Sequence, residues 1–401
     1  MPGLTPHSGN VRHGTLRVGL IAGEPSGDLL GAGLAREIRR YYPDTEFCGI
    51  AGPAMLAEGV PSWVQMERLS IMGLAEVVRH LPELVSIRRR VTRGFEAMRP
   101  DVVVGIDSPE FTLGVERRLR KAGMRTIHYV SPSIWAWRAG RVHGIGKAAD
   151  LVLCLFPFEP AVYSAHGIPA SFVGHPMADT IPLEPDRESA QAALGIPAGG
   201  REVIALLPGS RMGEVGRLGG EFAAAAALLA ARHPGLRFIA PMASAPIRAL
   251  FSSQLANRAP GLEVRLFDGR SREVLAAADL VLLASGTAAL EAALFKRPMV
   301  VAYRVADVSA RIIKTFKLMQ ARHFSLPNIL AGEQLVPELI QDDATPDRIA
   351  AEASALLDDP ARRAGLMARF TAIHETLRQG ADRRAAEAVL ALTGRLPEPL
   401  A

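Results

Sequence analysis

Two kinds of residue in this chain stand where chemistry can be done: a carboxylate that closes an apolar run, and small residues that lead apolar runs into helical patterns. Asp107 ends DVVVGID (101–107) and precedes Ser108-Pro109. A carboxylate at the carboxyl end of a strand suits a general base, and capping of the following helix is the equal alternative. Leu207-Pro208-Gly209-Ser210-Arg211 and Ser285-Gly286-Thr287-Ala288-Ala289-Leu290-Glu291 each leave an apolar run for a helix. Small residues at a helix N-terminus leave backbone N–H groups open to an anion, and the helix dipole favours phosphate there. Arg211 adds a bidentate donor, and Glu291, one to two turns into its helix, suits the hydroxyls of a ribose. One such loop alone reads as helix capping; two in one half of the chain point to a nucleotide diphosphate.

Two further segments carry weaker signals. Gly23-Glu24-Pro25-Ser26-Gly27-Asp28 is a glycine-rich strand-to-helix turn, yet it is neither the dinucleotide fingerprint nor a P-loop. Its two acids argue against phosphate, and a tight turn with Ser26 as the helix cap is the competing reading. Ser131-Pro132-Ser133-Ile134-Trp135-Ala136-Trp137-Arg138 holds two of the three tryptophans and suits a wall for a sugar or acyl group, with buried structural tryptophans as the alternative. No Asp-x-Asp occurs, nor any His/Cys spacing typical of zinc. The expectation is therefore a metal-independent reaction without a cofactor, a leaving diphosphate being stabilised by helix N-termini and arginine. No Gly-x-Ser-x-Gly supports a hydrolase.

The elements that must position these residues alternate. Apolar, β-rich runs at 16–22, 45–50, 101–107, 125–130, 150–155 and 170–174 are separated by helical patterns, the signature of a parallel sheet covered on both faces. The proline-spaced stretch 175–186 breaks the alternation and reads as a linker. Further runs at 201–207, 236–242, 262–267, 279–284 and 298–303 restart it, and helical segments follow near 346–358, 360–378 and 382–393. The fold class is thus α/β, with two doubly wound halves. Ligands of such sheets bind beyond the carboxyl ends of the strands, and the crevice between the halves is the expected active site.

Composition sets bounds on this picture. A length of 401 residues predicts two domains, and 49% hydrophobic with 22% charged residues excludes wholesale disorder. A net charge of +5 is modest and no basic cluster is interleaved with stacking aromatics, so nucleic acid is not an expected partner. Cys48 and Cys154 lie in strand-like runs and read as buried thiols of a reducing compartment. No signal peptide or membrane-spanning run is apparent, which predicts a cytosolic protein or one lying on a membrane from the cytosol.

The charge is unevenly placed. Residues 68–99 carry seven arginines against three glutamates, and 304–322 carry Arg304, Arg311, Lys314, Lys317 and Arg322 against Asp307; each segment nets +4, so the rest of the chain is slightly acidic. In the first, Leu84, Ile87, Val91, Phe95 and Met98 recur at helical spacing, with Arg88, Arg89, Arg90 and Arg93 largely elsewhere around the helix and a second apolar patch at 69–81. An apolar face rimmed by arginine suits an interfacial helix on anionic lipid; a surface helix packed on its sheet is the equal alternative. The second segment suits an acidic substrate or is simply solvated.

AGEPSGD (22–28), AGPAM (51–55), MGLAEV (72–77), GIDSPEF (105–111), HYVSPSIWAWR (128–138), LFPFEP (155–160), FVGHPMAD (172–179), LPGSR (207–211), LLASGTAALE (282–291) and SLPN (325–328) occur in this order. Together they resemble the lipid-A-disaccharide synthases, over about residues 16–395. The resemblance implies a GT-B fold: residues 1–15 outside the fold, 16–180 a Rossmann-like acceptor- and lipid-facing domain, 181–375 a Rossmann-like UDP-sugar domain, and 376–401 a helix returning to the first domain or exchanged within a homodimer. It implies inverting transfer from UDP-2,3-diacylglucosamine to 2,3-diacylglucosamine 1-phosphate (lipid X), giving a β-1′,6 linkage and UDP, at the cytoplasmic face of the inner membrane.

On that match Asp107 is the expected base for the acceptor 6-hydroxyl. Arg211, Ser285, Gly286, Thr287, Glu291 and Asn328 are expected at UDP. Glu24, Ser26, Asp28, Trp135 and Arg138 are expected at the donor sugar or acceptor, and Ile71, Met72, Leu74, Val78, Leu81, Arg88 and Arg89 at the anionic membrane surface. The rival readings are another GT-B enzyme, such as a UDP-N-acetylglucosamine 2-epimerase or a peptidoglycan glucosaminyltransferase, and a non-catalytic glycolipid-binding protein. The HYVSPSIWAWR and GIDSPEF motifs do not resemble those enzymes, and a binding protein needs no base.

Overall fold

The computed structural model describes residues 14–69, 74–134, 139–197, 199, 201–305 and 323–395, with no account of the side chains of 74–79 and 139. The described residues up to Pro176, joined by those from Leu377 onward, form one compact unit; Met177–Thr376 form the other.

The first unit is built on six parallel strands, β1 (Arg17–Ala22), β2 (Glu46–Ile50), β3 (Val102–Ile106), β4 (Thr126–Tyr129), β5 (Leu151–Cys154) and β6 (Ala170–Phe172), in the order β2-β1-β3-β4-β5-β6. The second uses β7 (Val203–Leu207), β8 (Arg237–Met242), β9 (Val264–Asp268), β10 (Leu280–Ala284), β11 (Met299–Tyr303) and β12 (Glu338–Ile340), in the order β12-β11-β10-β7-β8-β9. All pairings are parallel. The apolar runs become strands because they are buried on both faces: every residue of β3, β7 and β10 is buried. Each such aliphatic side chain contributes roughly 1.5–3 kcal/mol on burial. Among the described residues, eleven of the twelve strands coincide with the expected runs. The twelfth, β12, has three residues, and Pro337 and Glu338 interrupt the apolar residues around it.

Strand order reverses once in each sheet, between β1 and β3 in the first unit and between β7 and β10 in the second. At such a reversal the connections leave to opposite sides, and a crevice opens beyond the carboxyl ends of the two strands. The last described helix, Ala381–Thr393, belongs to the first unit and packs on Pro25–Tyr41. Arg36 pairs with Asp382 at 3.3 Å, Tyr41 donates to Glu387 at 3.1 Å, and Tyr42 to the Arg395 carbonyl at 3.1 Å.

The arginine-rich helix spans Leu74–Met98, and its second half takes the packed alternative. Ile87, Val91 and Phe95 are buried in the core of the first unit, with Phe95 against Trp63 at 4.8 Å between centroids. The apolar stripe of this half therefore faces the sheet rather than lipid. Arg88 is also turned inward: it donates to the Glu110 carbonyl at 2.8 Å and lies over the Phe111 ring. Leu81, 52% exposed, and Arg89, Arg90 and Arg93 remain on the surface. Ile71 and Met72 lie outside the described residues, as do the side chains of Leu74 and Val78. No described helix is long and apolar enough to cross a membrane. Both cysteines are free and buried, and burial pushes the Cys48 thiol up to about 11.

Candidate active site

Both expected constellations fall at the strand-order reversals. In the first unit, β1 delivers the turn with Glu24, Ser26 and Asp28, and β3 delivers Asp107. Glu24 is the N-cap residue of the helix Pro25–Tyr41 and Pro25 opens its first turn, so Ser26 is not the cap. The Ser26 hydroxyl instead donates to Asp107 Oδ2 across 3.4 Å. Asp107 is not a helix cap either. Ser108 holds that position for Pro109–Lys121, and Asp107 Oδ1 accepts the Ser108 N–H at 2.8 Å.

The backbone there is unusual. Asp107 and Ser108 have φ of +53° and +45°, successive left-handed residues without glycine. They are held by the Asp107 N–H donating to the Tyr129 carbonyl (2.9 Å) and by the Thr112 hydroxyl, 2.9 Å from the Asp107 carbonyl and 3.1 Å from that of Ser108. Backbone outliers so firmly held cluster at functional sites.

Asp28 has a different setting from Ser26. It is buried, and its two oxygens accept the N–H groups of Gly52 (2.8 Å), Ala54 (2.8 Å) and Met55 (3.1 Å). It thereby anchors the helix Pro53–Ala57, and links the AGEPSGD and AGPAM motifs. Both of its oxygens accept from backbone. Trp135 and Arg138 lie outside the described residues. Before them Ser131 is buried, with its hydroxyl 2.8 Å from that of Tyr163.

In the second unit, β7 ends at the Gly209-Ser210-Arg211 loop and β10 at Ser285-Gly286, each running into a helix, Met212–Arg232 and Thr287–Leu294. Neither helix has a side-chain cap on its first turn, the place where backbone N–H groups and the helix dipole favour an anion. Gly286, at φ +148°, adopts a conformation that other residues rarely enter, and so sets the angle between strand and helix. Glu214 turns back on the first loop: it accepts the Ser210 N–H at 3.1 Å and pairs with Arg211 at 3.4 Å. Arg211 is otherwise well exposed. Glu291 is mostly buried, its carboxyl raised by desolvation and drawn back down by Arg272, whose Nε lies 3.3 Å away.

Asn328 is fully buried and serves its own loop. Its Oδ1 accepts the N–H groups of Leu335 (2.8 Å) and Val336 (2.9 Å), and its Nδ2 donates to the Val336 carbonyl (3.0 Å). Arg304 is likewise engaged within its unit, with Glu221 at 3.0 Å and the Gln341 and Ala344 carbonyls. The other basic residues of 311–322 lie outside the described residues. Sequence reading missed Arg272 and Glu214 as partners of Glu291 and Arg211. Glu214 sits three residues from Arg211 on a helix, a detectable spacing; Arg272 sits on another helix and gave no local sign.

A family model described as lipid-A-disaccharide synthetase matches residues 18–392. The lipid-A-disaccharide synthase of Pseudomonas aeruginosa is 57% identical over 380 residues, covering 95% of this chain and 99% of its own. That of Alkalilimnicola ehrlichii is 54% identical, covering 94% and 99%. Among solved structures, a UDP-GlcNAc 2-epimerase from Neisseria meningitidis superposes with a TM-score of 0.61 over 94% of this chain and 98% of its own, at 12% identity. This is a likeness of fold, the two-sheet GT-B architecture. With more than half of its residues shared over almost its whole length, the chain belongs to the lipid-A-disaccharide synthase family.

Proposed function

We propose that this chain makes the lipid A disaccharide by a single displacement in which Asp107 is the base. The substrates are UDP-2,3-diacylglucosamine and 2,3-diacylglucosamine 1-phosphate. Asp107 removes the proton of the acceptor 6-hydroxyl as its oxygen attacks the anomeric carbon and the bond to UDP breaks. The result is inversion, a β-1′,6 linkage and free UDP. The observation that carries this reading is the setting of Asp107: a half-buried carboxylate at a strand-order reversal, on a left-handed turn fixed from two neighbouring elements.

The diphosphate lies against the uncapped helix ends at Ser285-Gly286-Thr287 and beside Arg211, whose charge balances the leaving group. Glu291 takes the ribose hydroxyls, and Asn328 acts through the loop it shapes. Glu24 and Ser26 border the acceptor, with Trp135 and Arg138 as a further wall, while Asp28 keeps the turn in place. The absence of Asp-x-Asp supports a metal-independent reaction. Leu81 and Arg89 support peripheral contact with the anionic cytoplasmic face of the inner membrane. In a homodimer, an exchanged Ala381–Thr393 helix would make the same contacts with Pro25–Tyr41 of the partner; the mass in solution tests that reading.

The decisive assay is UDP release from the diacylated donor and acceptor. Asp107→Asn should lose about 10²–10⁴-fold in turnover, the usual share of general-base catalysis, and still bind UDP. Parent-like turnover in that variant removes Asp107 from the role.

A further inference from the structure

Beneath the Asp107 turn lies a buried polar pair that the reaction does not use. Glu116, on the helix Pro109–Lys121, and His128, on β4, are both fully buried, and Glu116 Oε1 and His128 Nδ1 share a 2.9 Å hydrogen bond. Gly105 of β3 stands opposite His128 in the parallel register. A Cβ on Gly105 would overlap Glu116 Oε1, so the carboxyl reaches the sheet only because this position has no side chain. Burial raises the Glu116 carboxyl, against the pull of His128. Among the described residues, Glu116 Oε2 and His128 Nε2 have no hydrogen-bond partner. A pair so incompletely satisfied is a poor source of stability compared with apolar side chains of similar volume.

The two elements that the pair joins are those that hold Asp107. Thr112, one turn before Glu116 on the same helix, grips the Asp107 and Ser108 carbonyls. Tyr129, next to His128 on β4, accepts the Asp107 N–H. Two successive non-glycine residues keep a left-handed conformation only where their surroundings over-determine it.

We propose that Glu116 and His128 are positioning residues for the reaction: by locking the helix Pro109–Lys121 to β4 they fix the Asp107-Ser108 turn, and with it the carboxylate, in the geometry for proton removal. This rests on Asp107 being the base. Misplacing a reacting group by about 1 Å costs on the order of a hundredfold.

The test compares Glu116→Gln and Glu116→Met, each in the parent and in Asp107→Asn, by kcat, acceptor KM and UDP affinity. Glu116→Gln keeps an acceptor for His128 and should stay within about threefold of the parent. Glu116→Met should lower kcat by about ten- to a hundredfold, with KM and the UDP dissociation constant within about threefold. In Asp107→Asn the same change should cost less than about threefold more, because residues acting as one unit are not additive. Equal losses in both backgrounds, or parent-like kcat in Glu116→Met while Asp107→Asn is inactive, overturn the proposal. Parent-like kcat in Asp107→Asn overturns instead the base assignment beneath it. If Glu116→Met does not fold, Glu116→Met/His128→Leu, which strands no polar atom, replaces it; failure of both to fold overturns the proposal in favour of a structural role.

Discussion

The Ser26 hydroxyl lies 3.4 Å from Asp107 Oδ2, joining the turn after β1 to the end of β3 across the point where the strand order of the first sheet reverses. One carboxylate oxygen is thereby steered by a distant turn and the other by the adjacent Ser108 N–H. The long Ser26 contact makes it an aid to orientation rather than a main support.

Ser26→Ala should therefore reduce turnover modestly. The net worth of one hydrogen bond, about 0.5–1.5 kcal/mol, corresponds to roughly two- to tenfold. Steady-state UDP release at saturating donor measures it, and a loss as large as that of Asp107→Asn contradicts this ranking.

Glu291→Ala should weaken UDP by about ten- to a hundredfold, the worth of roughly 1.5–3 kcal/mol for hydrogen bonds to a charged acceptor. Its carboxyl is raised by burial, so UDP affinity should fall as pH drops through that raised value. Arg272→Ala removes the opposing pull and should move the loss to higher pH. For folding the sign is reversed: the raised carboxyl contributes stability below the ordinary carboxylate range, lost as pH rises through the folded value. Glu291→Gln should thus melt slightly higher at neutral pH while binding UDP less well. Calorimetric titration and melting curves over pH 4–8 check both halves.

Asp28→Ala should destabilise the protein by about 2–4 kcal/mol, since three backbone N–H groups lose their acceptor. UDP affinity, a property of the second unit, should be unchanged. Urea unfolding followed by calorimetric UDP titration separates the two effects; equal stability shows that the three bonds are replaced by solvent.

Contact with anionic vesicles at low salt should fall in Leu81→Glu and in Arg89→Glu, whose parent residues are exposed. Arg88→Ala should bind vesicles as the parent does but melt lower, because Arg88 is docked on Glu110 and Phe111. Co-sedimentation in which Arg88→Ala fails and Arg89→Glu does not would reverse this assignment.

The apolar runs and the small-residue loops that end them were sufficient by themselves to define two parallel sheets, the strand ends and the residues delivered there. That information is local: a strand buried on both faces must be apolar, and a loop open to an anion must be small. The Asp107, Arg211 and Ser285 neighbourhoods were legible for this reason. Only tertiary structure decided which polar groups are bonded within the protein. Asp28 meets backbone more than twenty residues away, Asn328 closes its own loop, and Glu116 meets His128 through the gap at Gly105. The stripe Ile87, Val91 and Phe95 has the same period whether it meets lipid or a sheet, and packing assigned it to the core. A side chain's type states which bonds it can make; the partner is fixed by what folding brings within about 3 Å of it.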